Sequence, residues 1–186
     1  MAAICLVLGG VRSGKSAFAE SLALELAQPT LYLATGQVTD AEMAERIRRH
    51  RMRRPASWQT LEEPLALDQA LATALSTPPT PPVLLIDSLD TWVSNLLLER
   101  ESDSLEQVES LAIAMVERLL QTCATSAAVC FLVSSEVGLS LVPPYPLGRR
   151  FQDLLGLVNQ RVAAAAQRVY LVVAGIPLLV RDTDSR

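Results

Sequence analysis

The feature that most constrains this chain is residues 9–16, GGVRSGKS, which have the G-x-x-x-x-G-K-S spacing of a P-loop. An apolar run over residues 2–8 precedes the motif, and apolar residues at helical spacing follow it. The motif therefore lies between a predicted strand and a predicted helix, where its backbone N–H groups and the positive helix end meet one anion. We expect a nucleotide phosphate site formed by Gly9, Gly10, Val11, Arg12, Ser13, Gly14, Lys15 and Ser16.

Lys15 is the only lysine, since the other basic residues among the 16 Lys and Arg are arginines. A compact ammonium fits between phosphates where a planar guanidinium does not. We expect Lys15 to contact the β- and γ-phosphates as a catalytic residue, and the Ser16 hydroxyl to bind Mg²⁺.

A second nucleotide-binding pattern lies about 70 residues downstream, where the apolar segment 83–86 ends at Asp87. In a P-loop protein this is the Walker-B pattern, in which a buried strand carries a carboxylate to the Mg²⁺ side of the nucleotide. Asp87 is therefore predicted to bind Mg²⁺ together with Ser16.

Apolar strands alternate with amphipathic helices along the whole chain, which predicts an α/β fold with a mostly parallel sheet and helices on both faces. Strands are predicted at residues 2–8, 30–34, 83–87, 128–133 and 169–174, with a short extended piece at 178–180. Helices are predicted from about residue 41 to Pro55 and at 65–75, 89–98, 105–123 and 151–167. The segment over residues 134–150, between the strand at 128–133 and the helix at 151–167, is rich in Pro and Gly and is expected to be an ordered functional loop or lid.

Length and composition favour one cytoplasmic domain over residues 1–186. With 50% hydrophobic residues the chain can fill one core, yet it has no apolar run of membrane-spanning length and its N-terminal run resembles no signal peptide. The three cysteines have no metal-ligand spacing and are expected to be buried thiols.

The positive charge is concentrated in one patch. Six arginines lie within residues 46–54 with no acid among them, so the net charge of −4 minus that +6 leaves −10 for the rest of the chain. This distribution favours a small polyanion such as GTP or ATP over a nucleic acid, which requires a broad basic face.

The only histidine, His50, stands inside this patch. It is either one member of a solvated basic helix face or a nucleophile. If His50 is a nucleophile, the neighbouring cations disfavour its protonated form and leave a nitrogen lone pair free to attack phosphorus. The arginines then neutralise the charge of the phosphates.

Ten segments of the chain closely resemble the bifunctional adenosylcobinamide kinase/adenosylcobinamide-phosphate guanylyltransferases of cobalamin biosynthesis. They are residues 9–16, 31–35, 42–50, 54–64, 87–97, 135–138, 142–143, 150–153, 156–160 and 173–177. Two positions differ from the family pattern, because Ser135 stands where Asn is usual and Ser140 where Gly is usual. Both lie in the expected lid, so they concern corrinoid binding more than nucleotide chemistry.

The resemblance implies a RecA-like P-loop fold, a homotrimer, and two reactions. In the first, a hydroxyl of adenosylcobinamide takes the γ-phosphate of ATP or GTP. In the second, His50 becomes a covalent GMP-histidine that passes GMP to adenosylcobinamide phosphate. The resemblance further implies that the guanine nucleotide is held by Ala34, Thr35, Gly36, Arg51, Met52, Arg53, Arg54, Glu62 and Asp87.

Two alternatives remain at this point. A plain P-loop small-molecule kinase needs Lys15 and Asp87 but forms no GMP adduct. A RecA-like regulatory or nucleic-acid-binding module would use the arginines on a polymer and show salt-sensitive binding. Glu136 is expected either to orient the corrinoid or a water, or to cap a loop.

Overall fold

The apolar runs form the strands of one sheet in a computed structural model that describes residues 3–37, 40–76 and 82–183. The strands in these ranges are β1 Ala3–Gly9, β2 Thr30–Ala34, β3 Gln59–Glu62, β4 Val83–Asp87, β5 Val129–Ser135, β6 Arg168–Val173 and β7 Ile176–Asp182. The helices are α1 Lys15–Glu25, α2 Ala41–Arg53, α3 Leu67–Ser76, α4 Leu89–Glu99, α5 Leu105–Thr125 and α6 Pro146–Ala165.

The sheet has the strand order β3-β2-β4-β5-β1-β6-β7. All neighbouring pairs are parallel except β6 and β7, which are antiparallel. Parallel strands place their carboxyl ends at one edge, and ligands of such sheets bind there. The P-loop after β1 and Asp87 at the end of β4 therefore share an edge, separated only by β5.

Alternating side chains of the strands fill a core on each face of the sheet. On one face Leu6, Leu84 and Leu132 pack with helices α3 to α6, and Trp92 of α4 is 1% exposed there. On the other face Val7, Leu85 and their neighbours pack against α1 through Ala19 and Ala23. The prediction of an α/β fold with helices on both faces is thus confirmed.

Several element boundaries differ from the predictions, and two of these differences have a clear local reason. Helix α6 begins at Pro146, five residues before the predicted start, because proline is favoured in the first turn, where its missing N–H costs nothing. Strand β7 is longer than predicted because Ala174 and Gly175, at φ of 50° and 82°, make a tight turn that returns the chain along β6.

Within the described residues, no helix is both long and apolar enough to cross a membrane. Cys5, Cys123 and Cys130 are buried free thiols, as predicted. Burial raises the pKa of the Cys5 thiol to about 12, so it stays protonated and unreactive at neutral pH.

Candidate active site

The P-loop backbone depends on two glycines that no other residue replaces without strain. Gly14 has φ +94°, and a Cβ on Gly9 would lie 2.7 Å from the carbonyl oxygen of Val172. The Gly175 N–H donates to the Ser13 carbonyl at 2.8 Å, so the β6–β7 turn holds the P-loop through a backbone hydrogen bond.

Lys15 folds over this loop, and its Nζ donates to the Gly10 carbonyl at 3.3 Å. Ser16, the next residue, donates its hydroxyl to Asp87 Oδ1 at 3.1 Å. The structure thus brings together the two predicted Mg²⁺ ligands, which are 71 residues apart in sequence.

Tyr32 on β2 binds the second oxygen of the same carboxylate, donating its hydroxyl to Asp87 Oδ2 at 2.5 Å. Burial, followed by the charge of Asp87, raises the pKa of Tyr32 well above its ordinary value. The phenol therefore remains a hydrogen-bond donor at neutral pH and orients the carboxylate.

Helix α2 brings His50 to this cluster. Its Nδ1 lies 3.9 Å from Asp87 Oδ2, and a carboxylate oxygen of Glu20 on α1 lies within 4.8 Å of both residues. The sequence predicts only cations around the imidazole, and the fold adds two carboxylates to its surroundings.

The C-terminal arginines of α2 bind carboxylates on two other elements. Arg53 lies 3.5 Å from Glu20 Oε2, and Arg51 forms an ion pair with Glu62 on β3. Burial raises the pKa of Glu20, and Arg53 opposes that shift.

Arg54 lies flat on Tyr32, with its guanidinium carbon 3.4 Å from the ring centre. Its Nε and Nη1 are buried and have no acceptor among the described residues. Buried N–H groups of a cation without acceptors are costly, so an anionic ligand is their natural complement.

Two cavities flank His50. The first, of about 140 Å³, lies at the carboxyl ends of β2 and β4, and the second, of about 700 Å³, lies between the P-loop and α2. The first is lined by Lys15, Ser16, Tyr32, Ala34, Gly36, Ile47, His50, Arg51, Arg54, Glu62, Asp87, Ser88, Asp90 and Thr91. The second is lined by Val11, Arg12, Ser13, Gly14, Lys15, Ser16, Ala17, Glu45, Arg49, His50 and Arg53. The residues common to both are Lys15, Ser16 and His50.

Four of the residues expected to bind nucleotide line neither cavity, namely Gly9, Gly10, Thr35 and Met52. Thr35 is buried, and its Oγ1 accepts from the Ser88 N–H and donates to the Ser88 carbonyl, both at 2.8 Å, so it joins β2 to the end of β4. Met52 is 71% exposed on α2.

The lid expected over residues 134–150 is shorter, because residues 134–135, including Ser135, end β5 and residues 146–150 begin α6, which leaves a loop over residues 136–145. The loop starts beside the P-loop, where the Glu136 N–H donates to the Gly9 carbonyl at 3.1 Å. Glu136 caps this loop, because its Oε1 accepts from the Gly138 N–H at 2.6 Å. Leu139, Leu141 and Val142 expose most of their surface.

Sequence reasoning missed Tyr32, Glu20 and Asp90. Asp90 lines the first cavity from the first turn of α4, and its Oδ2 accepts from the Ser135 hydroxyl at 2.8 Å. One signal was available for Glu20, since it follows Ser16 by four residues and so lies on the same face of α1.

Mg²⁺ fits the chemistry of the donors present. A hydroxyl and a carboxylate, Ser16 and Asp87, meet at the P-loop, and Mg²⁺ prefers oxygen ligands from one or two side chains together with phosphates.

Comparisons with known proteins identify the family to which this chain belongs. The model of the family "Cobinamide kinase / cobinamide phosphate guanyltransferase" matches residues 5–180. A "Bifunctional adenosylcobalamin biosynthesis protein CobP" of Pseudomonas aeruginosa is 43% identical over 93% of this chain and 94% of its own length. Proteins named "Bifunctional adenosylcobalamin biosynthesis protein CobU" from Escherichia coli and Salmonella typhimurium are 39% and 41% identical, over 95% of this chain and 98% of theirs. The chain therefore belongs to the cobinamide kinase / cobinamide phosphate guanyltransferase family, whose members are P-loop proteins with both activities.

Proposed function

We propose that this chain is a bifunctional enzyme of adenosylcobalamin biosynthesis. It phosphorylates adenosylcobinamide with ATP or GTP, and then transfers GMP from GTP through a covalent GMP-histidine at His50 to give adenosylcobinamide-GDP and pyrophosphate. The observation that carries the proposal is the position of His50 at the junction of the two cavities, shared with Lys15 and Ser16 of the P-loop.

In the kinase step, the P-loop backbone and Lys15 bind the β- and γ-phosphates while an alcohol oxygen of the corrinoid attacks the γ-phosphorus. Ser16 and Asp87 would hold Mg²⁺, which supplies charge neutralisation on the phosphates when bound. Tyr32 keeps the Asp87 carboxylate oriented for that purpose.

In the transfer step, a nitrogen of His50 attacks the α-phosphorus of GTP, the N–P bond forms, and the bond to the β-phosphate oxygen breaks with release of pyrophosphate. A phosphate oxygen of the corrinoid then attacks the same phosphorus and breaks the N–P bond. Arg12, Arg49 and Arg53 line the larger cavity and neutralise the departing pyrophosphate. Arg51, Arg54 and Glu62 line the smaller cavity and contribute to binding the nucleotide.

The corrinoid approaches from the loop over residues 136–145, whose exposed Leu139, Leu141 and Val142 suit an apolar macrocycle. We further propose that the chain works as one cytoplasmic domain and assembles as a homotrimer. Apolar side chains exposed along β7, including Ile176 and Val180 at 64% and 65%, offer a surface for that assembly.

The test is to incubate the protein with Mg²⁺ and GTP labelled at the α- or the γ-phosphate, and to look for label on the denatured protein. We expect label from the α-position only, labile to acid, stable to base and absent in His50→Asn. A lysine adduct shares this lability, so mass spectrometry of the labelled peptide must locate GMP on His50 and not on Lys15. If no adduct forms while adenosylcobinamide still gains a phosphate, the protein is a plain P-loop kinase.

A further inference from the structure

We propose that Asp90 is the general base of the kinase step, accepting the proton of the acceptor alcohol as its oxygen attacks the γ-phosphorus. The inference rests on the proposed function and adds a residue that acts in the first reaction but not in the second.

Asp90 lies beside the phosphate site. It follows Asp87 by three residues, in the first turn of α4, and lines the smaller cavity with Lys15, Ser16 and Asp87. Its partner Ser135 ends β5 and pairs in register with Gly9, the first residue of the P-loop. The carboxylate therefore lies one strand away from the loop that binds the phosphates.

The two oxygens of Asp90 have different surroundings. Oδ2 accepts a hydrogen bond from the Ser135 hydroxyl at 2.8 Å, and Asn159 holds Ser135 in turn by donating to its carbonyl at 3.0 Å. Oδ1 is buried and has no hydrogen-bond donor among the described residues. A buried carboxylate oxygen without a donor is costly, and an incoming hydroxyl group is a donor that would satisfy it.

The corrinoid would arrive at the same place, because the loop with the exposed apolar residues begins directly after Ser135. In the step itself the alcohol O–H bond breaks and its proton moves to Asp90. The alcohol oxygen bonds to the γ-phosphorus, the bond from that phosphorus to the oxygen bridging to the β-phosphate breaks, and the nucleoside diphosphate leaves with the electron pair of that P–O bond.

The second reaction does not need a general base to deprotonate its acceptor. Its acceptor is a phosphate oxygen that already carries negative charge, and the attacking group in the first half is the His50 imidazole. Loss of the Asp90 carboxylate should therefore separate the two activities. A purely structural carboxylate at the start of α4 would lower both activities together, through stability or nucleotide binding.

The experiment compares Asp90→Asn with the wild type in three assays: phosphorylation of adenosylcobinamide, formation of GMP-His50, and GMP transfer to adenosylcobinamide phosphate. We expect kcat for phosphorylation to fall by about 10²- to 10⁴-fold, the usual contribution of general base catalysis, with KM for the nucleotide unchanged. GMP-His50 formation and GMP transfer should stay close to wild type. Glu106→Gln, which removes an exposed acid from the first turn of α5, is the matched control and should change none of the three.

The inference is overturned if phosphorylation by Asp90→Asn stays within a few-fold of the wild type, or if all three activities fall in parallel. Should Asp90→Asn fail to fold, Ser135→Ala tests the same point, because it releases Oδ2 and should lower kcat for phosphorylation alone. A wild-type protein that neither phosphorylates the corrinoid nor forms the adduct would instead contradict the proposed function itself.

Discussion

Asp87 is the residue on which the candidate site converges. Its Oδ1 accepts from Ser16 at 3.1 Å, its Oδ2 accepts from Tyr32 at 2.5 Å, and His50 Nδ1 lies 3.9 Å from Oδ2. One carboxylate thus joins the P-loop helix, the second strand and the helix with the proposed nucleophile. Changes to its hydrogen bonds should affect both reactions.

Tyr32→Phe tests this role. The variant keeps the ring under Arg54 but removes the donor to Asp87, and the loss of a hydrogen bond to a metal-binding carboxylate weakens metal binding by about 10- to 100-fold. We expect GMP-His50 formation to require at least about tenfold more Mg²⁺, and the protein to lose about 1–3 kcal/mol of stability from the unsatisfied oxygen. Magnesium titrations and urea unfolding measure the two effects.

Tyr170→Phe is the control for that variant, because the Tyr170 ring packs against Phe18 with centres 5.0 Å apart and the substitution keeps the ring. Both quantities should stay at wild-type values in the control. An unchanged magnesium requirement in Tyr32→Phe would show that Asp87 needs no orientation by the phenol.

At the scale of elements, α2 is the helix on which the site depends. The contacts that hold it come from its last two turns, as ion pairs to Glu20 on α1 and to Glu62 on β3, and His50 lies 3.9 Å from Asp87 on β4. Within the helix, Glu45 accepts from Arg48 and Arg49 at 2.7–2.8 Å. These intrahelical pairs stabilise the arginine-rich second half of α2.

Glu45→Gln should therefore destabilise α2 in a pH-dependent way. Hydrogen bonds from Arg48, then from Arg49, lower the pKa of Glu45 from 4.5 to about 2. Its stabilisation is accordingly complete above the ordinary value of 4.5 and is lost as the pH falls towards 2. Because both partners are exposed, we expect a decrease in Tm of only about 1–3 °C at pH 7.

The measurement is thermal unfolding of wild type and variant at pH 7, 5 and 3, together with hydrogen exchange of the α2 amides. The difference in Tm should be constant from pH 7 to 5 and smaller at pH 3. Glu117→Gln, which changes an exposed acid on α5, should give no such trend. If the difference in Tm between wild type and Glu45→Gln grew as the pH fell, it would contradict a lowered pKa of Glu45.

On the scale of the whole molecule, β7 leaves an apolar edge on the sheet. Ile176, Leu178, Leu179 and Val180 are each at least 50% exposed. Long exposed apolar edge strands favour association, and natural proteins commonly bury them against another chain.

Val180→Asp should therefore disrupt the proposed homotrimer. We expect light scattering to give three times the chain mass of 20.1 kDa for the wild type and 20.1 kDa for the variant. Leu98→Asp, at a residue 55% exposed on α4, should leave the mass unchanged. A wild-type mass of 20.1 kDa would rule out the trimer, and a trimeric variant would place the interface elsewhere.

Local sequence patterns predicted much of this architecture. The α/β class, the strand-loop-helix setting of the P-loop and the Walker-B strand all follow from neighbouring residues, because hydrophobic periodicity and glycine spacing report directly on the backbone. Boundaries were less well predicted where a turn decided them, as at Pro146 and at the Ala174–Gly175 turn. The expected cationic surroundings of His50 were incomplete, since Glu20 and Asp87 come from other elements.

The sequence by itself determined where a phosphate-binding loop forms and which ammonium and imidazole are available to it. Only the tertiary structure decided which carboxylates and donors meet them, because those contacts join residues far apart in the chain. Tyr32 and Asp87 are separated by 55 residues, and Asp90 and Ser135 by 45. They meet because β4 pairs with β2 on one side and β5 on the other, a strand order that hydrophobic periodicity does not encode.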